Sequence, residues 1–371
     1  MARKRALIIG IDHYDDRSIS NLSNAVADAM LVANYLSTNE PQYDGDVESE
    51  NYDIKLLISK PGYPITRRSL LEEINWLFAG NLDGALFYFA GHSVRSKLDD
   101  NDYLVSSDGR DDAFGVDMSL LMRRANEAGA KGVRSSTIIL DCCHAGAAGN
   151  SDFSDHLAQI GKGVTLLTSC EENEKSRDSG GRDGHGAFTS ILLDGLEGQS
   201  ADILGRVTPA SLYALIDSRL GATEQRPVYK TNVSRFIEVR KCTPRIQRSN
   251  LMQLTTIFTK PAAKYSLNPQ HERIKDRGKG FEDVFGENIQ FKPELFNNYR
   301  ALQDCFKNGL INVLIPQDKP EGWDVMTDNA AWPPKKSGSF SMWHAAIFSA
   351  SVELNYIGKH YRELALQNRL G

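Results

Sequence analysis

The feature that most constrains the fold is a rhythm. Over roughly the first 240 residues, short continuous apolar runs alternate with segments of helical periodicity. Residues 53–58 read as a strand, and runs at 6–11, 85–90, 136–140 and 164–168 lack the sustained polar alternation of a half-exposed strand. They fit strands buried on both faces of a parallel sheet. Between them, residues 22–36 have helical spacing, and Ser69-Leu-Leu-Glu72 offers a capping box for a helix running toward Gly80. Residues 102–106 read as a short β extension, 188–196 and 209–220 as helices, and 235–239 as a closing strand. The expected fold class is α/β, a mainly parallel sheet with helices on both faces. Sites in such sheets form at the carboxyl ends of strands. His92 and Cys143 each follow an apolar run, so both are expected just past such an end.

The composition narrows the function. Lys and Arg number 43 against 48 Asp and Glu, a formal net charge of −5, so no basic surplus argues for nucleic acid. No apolar run approaches the ~20 residues of a membrane-spanning helix. The basic start precedes an apolar run too short for a signal-peptide core, so a cytoplasmic protein is expected. The five cysteines are scattered and odd in number, which argues against a disulfide framework. Cys142, Cys143 and His144 are consecutive and cannot all reach one tetrahedral ion, and no C-x-x-C pair occurs, so no metal site is expected.

Two regions break the rhythm. Residues 170–186 are polar, charged and glycine-rich, and read as an exposed loop suited to nicking. From about 245 onward the alternation is lost, and three of the four tryptophans follow: Trp323, Trp332 and Trp343. The expected division is a domain over 1–242 and a smaller one over 243–371, with helical periodicity over 341–370.

The chemistry centres on His92 and Cys143. A thiolate can attack a carbonyl carbon, and the leaving amine needs a proton; a cysteine and a histidine at one substrate supply both. A lone cysteine is usually a small core residue. Here both residues follow β runs and border small residues, Gly91 and Ala145-Gly146, that permit close backbone approach.

The segments Tyr88-Phe-Ala-Gly-His-Ser93 and Asp141-Cys-Cys-His-Ala-Gly146 resemble the two signature segments of the caspase/metacaspase superfamily of cysteine peptidases. Their 51-residue separation, His first, matches the ~50 residues of caspases. Gly10-Ile-Asp-His-Tyr14 and residues 22–29 resemble the superfamily's first strand–helix unit. Thr168-Ser-Cys170 with Gly186-Ala-Phe-Thr189 resembles its later part. The resemblance covers about the first 240 residues. It implies a caspase-like fold, Cys143 as nucleophile rather than Cys142, His92 as acid/base, and an oxyanion hole from the backbone N–H groups of Ser93 and Cys143. The family commonly has Gly at the Ser93 position. His144 is then structural.

By the same resemblance, Asp141 and Asp28 line a pocket for a basic P1 residue, where metacaspases carry carboxylates and caspases carry Gln and Arg groups. Two carboxylates favour Arg or Lys by charge pairing. Ala90 stands where metacaspases usually have Ser. A basic preference makes Lys175, Arg177 and Arg182 in the 170–186 loop candidate autocleavage sites. Some metacaspases need calcium. Acidic runs at 99–102 and 111–112 carry suitable hard ligands but match no EF-hand spacing, so calcium is not favoured and no prosthetic cofactor is implied.

The partners implied are protein or peptide substrates. The region 243–371 reads as a regulator. Trp323, Trp332 and Trp343 could stack on a small nucleotide-like activator, anchor a protein partner, or simply fill a core. The layout resembles caspase-like effectors of bacterial antiviral defence. A catalytically silent scaffold of the same fold and an acyl-transferring ligase are the competing functions.

Overall fold

A computed structural model describes residues 3–43, 45–99, 101–110, 113–144, 160–169, 186–220, 227–234, 237–271, 292–314, 318 and 350–370, with the backbone alone of Cys143 and His144. The chain divides into two compact units, Met1–Thr243 and Pro244–Gly371.

In the first unit the strands are β1 (Lys4–Gly10), β2 (Thr38–Asn39), β3 (Ser49–Glu50), β4 (Asp53–Ile58), β5 (Gly84–Arg95), β6 (Asp102–Arg110), β7 (Ala113–Asp117), β8 (Ser136–His144), β9 (Val164–Thr168), β10 (Arg206–Val207), β11 (Val228–Thr231) and β12 (Arg240–Lys241). Its helices are α1 (Ala25–Ser37), α2 (Arg67–Leu77), α3 (Met118–Ala130), α4 (Ala187–Asp194) and α5 (Pro209–Leu220). The main sheet runs β11-β9-β8-β5-β1-β4. Its β4, β1, β5, β8 and β9 are mutually parallel, and β11 joins antiparallel. β6 folds back antiparallel on the end of β5, and β7 on β6. Two small ribbons, β2–β3 and β10–β12, complete the unit.

This is the caspase-like sheet the sequence predicts. Ala6–Ile9 and Leu86–Phe89 are buried on both sides of the sheet. Leu7, Ile9, Phe87, Phe89, Ile138 and Leu140 pack under α2 and α3. Ala6, Ile8, Leu86, Tyr88 and Ile139 pack under α1, α4 and α5.

Helix α1 is seated by two residues at the end of β1. A Cβ on Gly10 would lie 2.4 Å from the carbonyl oxygen of Ala25, so only glycine lets the helix approach this closely. Asn24 makes no side-chain cap. Instead the buried Asp12 accepts from the N–H groups of Ala25 (2.8 Å) and Val26 (3.2 Å), where the helix dipole favours a carboxylate.

Three sequence expectations change. Helix α2 begins earlier than the proposed capping box: Thr66 is its N-cap and accepts from the Ser69 N–H. Of the closing strand expected over 235–239, the described residues 237–239 form no strand; Val228–Thr231 pairs with β9 and Arg240–Lys241 with β10. The helix expected over 341–370 is preceded within that span by a strand, Ser351–Leu354, and covers Tyr356–Leu366.

The second unit contains α6 (Arg248–Ile257), β13 (Lys264–Ser266), α7 (Pro293–Lys307), β14 (Ile311–Leu314), β15 (Ser351–Leu354) and α8 (Tyr356–Leu366). Its antiparallel sheet runs β13-β15-β14. Leu251, Leu254, Phe258, Leu302, Cys305, Leu310 and Val352 are buried in it. No helix among the described residues is long and apolar enough to cross a membrane.

Candidate active site

The candidate residues lie at the carboxyl end of the central strand pair. The parallel register of β5 and β8 sets Gly91 opposite Cys142, His92 opposite Cys143 and Ser93 opposite His144. Adjacent strands are ~4.8 Å apart, so the backbones of His92 and Cys143 are one strand spacing from each other. The expectation that both lie just past their strands is corrected. β5 continues to Arg95 and β8 to His144. The apolar runs stop earlier, at Ala90 and Leu140, because the last residues are held by ladder pairing, to each other and to β6, and need no hydrophobic side chain.

His92 is buried and gripped by the loop between β1 and α1. Its backbone N–H donates to Tyr14 Oη (2.8 Å), and Tyr14 in turn donates to the Ile11 carbonyl (3.2 Å). Gly91 makes room for this grip: a Cβ there would stand 3.0 Å from Tyr14 Oη. The Tyr14 and His92 rings lie 5.0 Å apart, tilted by 38°. His92 Nε2 is 2.8 Å from the Ser20 carbonyl oxygen. A carbonyl only accepts, so Nε2 carries the proton in the neutral ring and Nδ1 is the basic nitrogen. Burial lowers the His92 pKa, and the bond to Ser20 opposes that shift in part. The loop itself is pinned: the Tyr14 N–H donates to Asn21 Oδ1, the Leu22 N–H to the Asp12 carbonyl and the Asp15 N–H to the Ser107 carbonyl on β6.

Cys142 belongs to the core beneath α2 and α3. Burial pushes its thiol up to about 12, against a hydrogen bond from Ser93. Such a thiol is a poor nucleophile at neutral pH. Cys143 has the opposite parity along β8, that of Ile139 and Asp141. Ser93 is fully buried and takes part in the ladders with both β6 and β8.

Asp141 and Asp28 both act on one buried group. The Tyr88 hydroxyl pKa is raised first by burial, then by the charges of Asp141 and of Asp28. Asp28 is buried on α1, and Asp141 is half-buried on β8. Asp141 Oδ2 also accepts from the Thr189 hydroxyl, and Thr189 Oγ1 is 2.9 Å from Tyr88 Oη. Tyr14, Ser20, Tyr88 and Thr189 are contacts that sequence reasoning missed. Tyr14, Tyr88 and Thr189 lie inside segments noted for other reasons, and Ser20 lies in none of them.

Several expected residues lie outside the described residues: Lys175, Arg177, Arg182, Trp323, Trp332 and Trp343. Of the acidic runs, Asp100, Asp111 and Asp112 also lie outside them. Asp99 accepts from the Asn101 N–H and the Tyr103 hydroxyl, in a local turn.

Comparison with known proteins sets this geometry in a family. Metacaspase-1 of Plasmodium berghei (strain Anka) is 30% identical over 97 residues, which span 25% of this chain and 15% of that protein. Caspase-1 of Spodoptera frugiperda aligns in its crystal structure with a TM-score of 0.45 at 12% identity, covering 65% of this chain and 91% of that one. A Geobacter sulfurreducens protein of known crystal structure aligns with a TM-score of 0.46 at 17% identity, covering 65% of this chain and 98% of that one. The family model for the caspase domain matches residues 3–246, and the chain therefore belongs to the caspase domain family.

Proposed function

We propose that the chain is a cysteine endopeptidase that uses Cys143 as nucleophile and His92 as acid/base, and that it cleaves after Arg or Lys. The observation that carries the reading is the register that sets His92 opposite Cys143 at the carboxyl end of the central strands, in a caspase domain chain. The neutral His92 ring takes the thiol proton of Cys143 at Nδ1. The thiolate adds to the scissile carbonyl carbon, and the imidazolium is stabilised by the Ser20 carbonyl. The tetrahedral intermediate collapses with loss of the C–N bond, and the leaving amine takes the proton from His92. Water, deprotonated by the same ring, then hydrolyses the thioester. The backbone N–H groups of Ser93 and Cys143 are the proposed oxyanion donors.

Asp28 and Asp141 are the proposed P1 pocket. Support comes from their joint action on the Tyr88 hydroxyl, which marks a locally negative, buried place suited to a guanidinium or ammonium. Cleavage at Lys175, Arg177 or Arg182 would then be self-processing. The second unit is the proposed regulator, answering a nucleotide-derived signal or a protein partner, as in a defence effector.

The test is cleavage of fluorogenic peptides with P1 Arg, Lys or Asp by the full chain and by Cys143→Ala, with product masses recorded. Arg or Lys cleavage that vanishes in the variant supports the reading. Cleavage after Asp overturns the pocket, an amine-transfer product overturns hydrolysis, and silence with an unreactive Cys143 favours the scaffold.

A further inference from the structure

The chain of hydroxyls behind Asp141 has a direction. Thr189 Oγ1 lies in hydrogen-bond contact with both Asp141 Oδ2 and Tyr88 Oη. A threonine hydroxyl has one proton, and an ionised carboxylate only accepts. The Thr189 proton therefore goes to Asp141, and Tyr88 must donate to Thr189. Tyr88 and Thr189 are both 0% exposed, so no solvent competes for these bonds. Successive bonds of this kind polarise one another.

The three residues come from three elements. Tyr88 stands on β5, Asp141 on β8 and Thr189 in the first turn of α4, on the face where α1 and α4 cover the sheet. Just ahead of the α4 turn, a Cβ on Gly186 would lie 3.9 Å from Asp141 Oδ2. The carboxylate is thus fixed from behind by a helix that begins beside it.

We infer that Tyr88 and Thr189 are positioning residues for substrate specificity: their relay orients the Asp141 carboxylate toward a cationic P1 side chain. The inference rests on the proposed acidic pocket for a basic P1 residue. It extends that pocket to two residues that would not touch substrate and ties its geometry to the seating of α4. A hydroxyl relay sets the direction of the Asp141 carboxylate without adding a charge.

The test uses the full chain and two probes: benzamidine binding by calorimetry, and the kinetics of a P1-Arg peptide. Thr189→Val keeps the side-chain shape and removes the relay. It is expected to weaken benzamidine roughly tenfold or more, and to raise KM more than it lowers kcat. Thr189→Ser restores the hydroxyl and is expected to bind within about threefold of the parent. Tyr88→Phe is expected to show a smaller loss in the same direction. Benzamidine bound equally by the parent and Thr189→Val would overturn the relay while leaving the pocket intact. A parent that does not bind benzamidine, or binds it no better than Asp141→Asn does, would overturn the pocket and the relay together.

Discussion

Among the described residues, His92 is held by neutral polar groups. Its main chain is fixed by Tyr14 and its ring by the Ser20 carbonyl. Tyr14→Phe leaves a buried N–H without its acceptor, which costs roughly 1–3 kcal/mol; thermal unfolding is expected to shift down and peptide cleavage to fall with it. The same burial gives an acid-side dependence. Burial lowers the pKa of His92, and of His271 in the second unit, below the ordinary histidine value. An unfolded chain then binds protons that the folded chain refuses. Stability is therefore fully present above the unfolded value of about 6.5 and declines as pH falls toward the lowered folded values. Melting temperatures recorded downward from neutral pH are expected to fall, and less steeply in His271→Gln. His92 and Cys143 stood out in the sequence because β runs and small residues frame them. Tyr14, Ser20 and Thr189 did not, because their contacts depend on how a loop and a helix start return to the sheet, and no periodicity encodes that path.

Helix α1 illustrates how elements are placed by single contacts. Gly10→Ala would drive a methyl against the Ala25 carbonyl at 2.4 Å, and backbone must move. A loss of about 1–3 kcal/mol is expected in denaturant titration. Thr66→Ala removes the N-cap of α2 and is expected to cost about 1 kcal/mol by the same measurement. Strands were legible where burial on both faces demanded continuous apolar residues, as at Ala85–Ala90. They were not legible where pairing alone sustains them. The ends of β5 and β8 and the short β12 are too polar or too brief to announce themselves. The start of α2 was misplaced because Ser69 resembles a cap in sequence, yet its N–H is the group being capped, by Thr66.

At the scale of the molecule, each unit has its own buried core. In the second, the buried Arg362 donates from Nε to the Phe258 carbonyl (2.7 Å) and from Nη2 to the Thr259 carbonyl (2.8 Å), closing the end of α6. Arg362→Ala is expected to destabilise that unit by roughly 2–3 kcal/mol. Hydrogen exchange should quicken over 248–257 with little change in β1, β5 and β8. The α/β class was legible from the alternation of the first 240 residues, while the antiparallel sheet of the second unit was hidden by strands of only three or four residues. The central claim is that Cys143 and His92 form one catalytic pair, and the most direct measurement is hydrolysis of a P1-Arg fluorogenic peptide by the full chain, Cys143→Ala, Cys142→Ala and His92→Ala side by side. The account predicts cleavage that is abolished in the Cys143 and His92 variants and retained in Cys142→Ala. Cleavage that survives Cys143→Ala would contradict it.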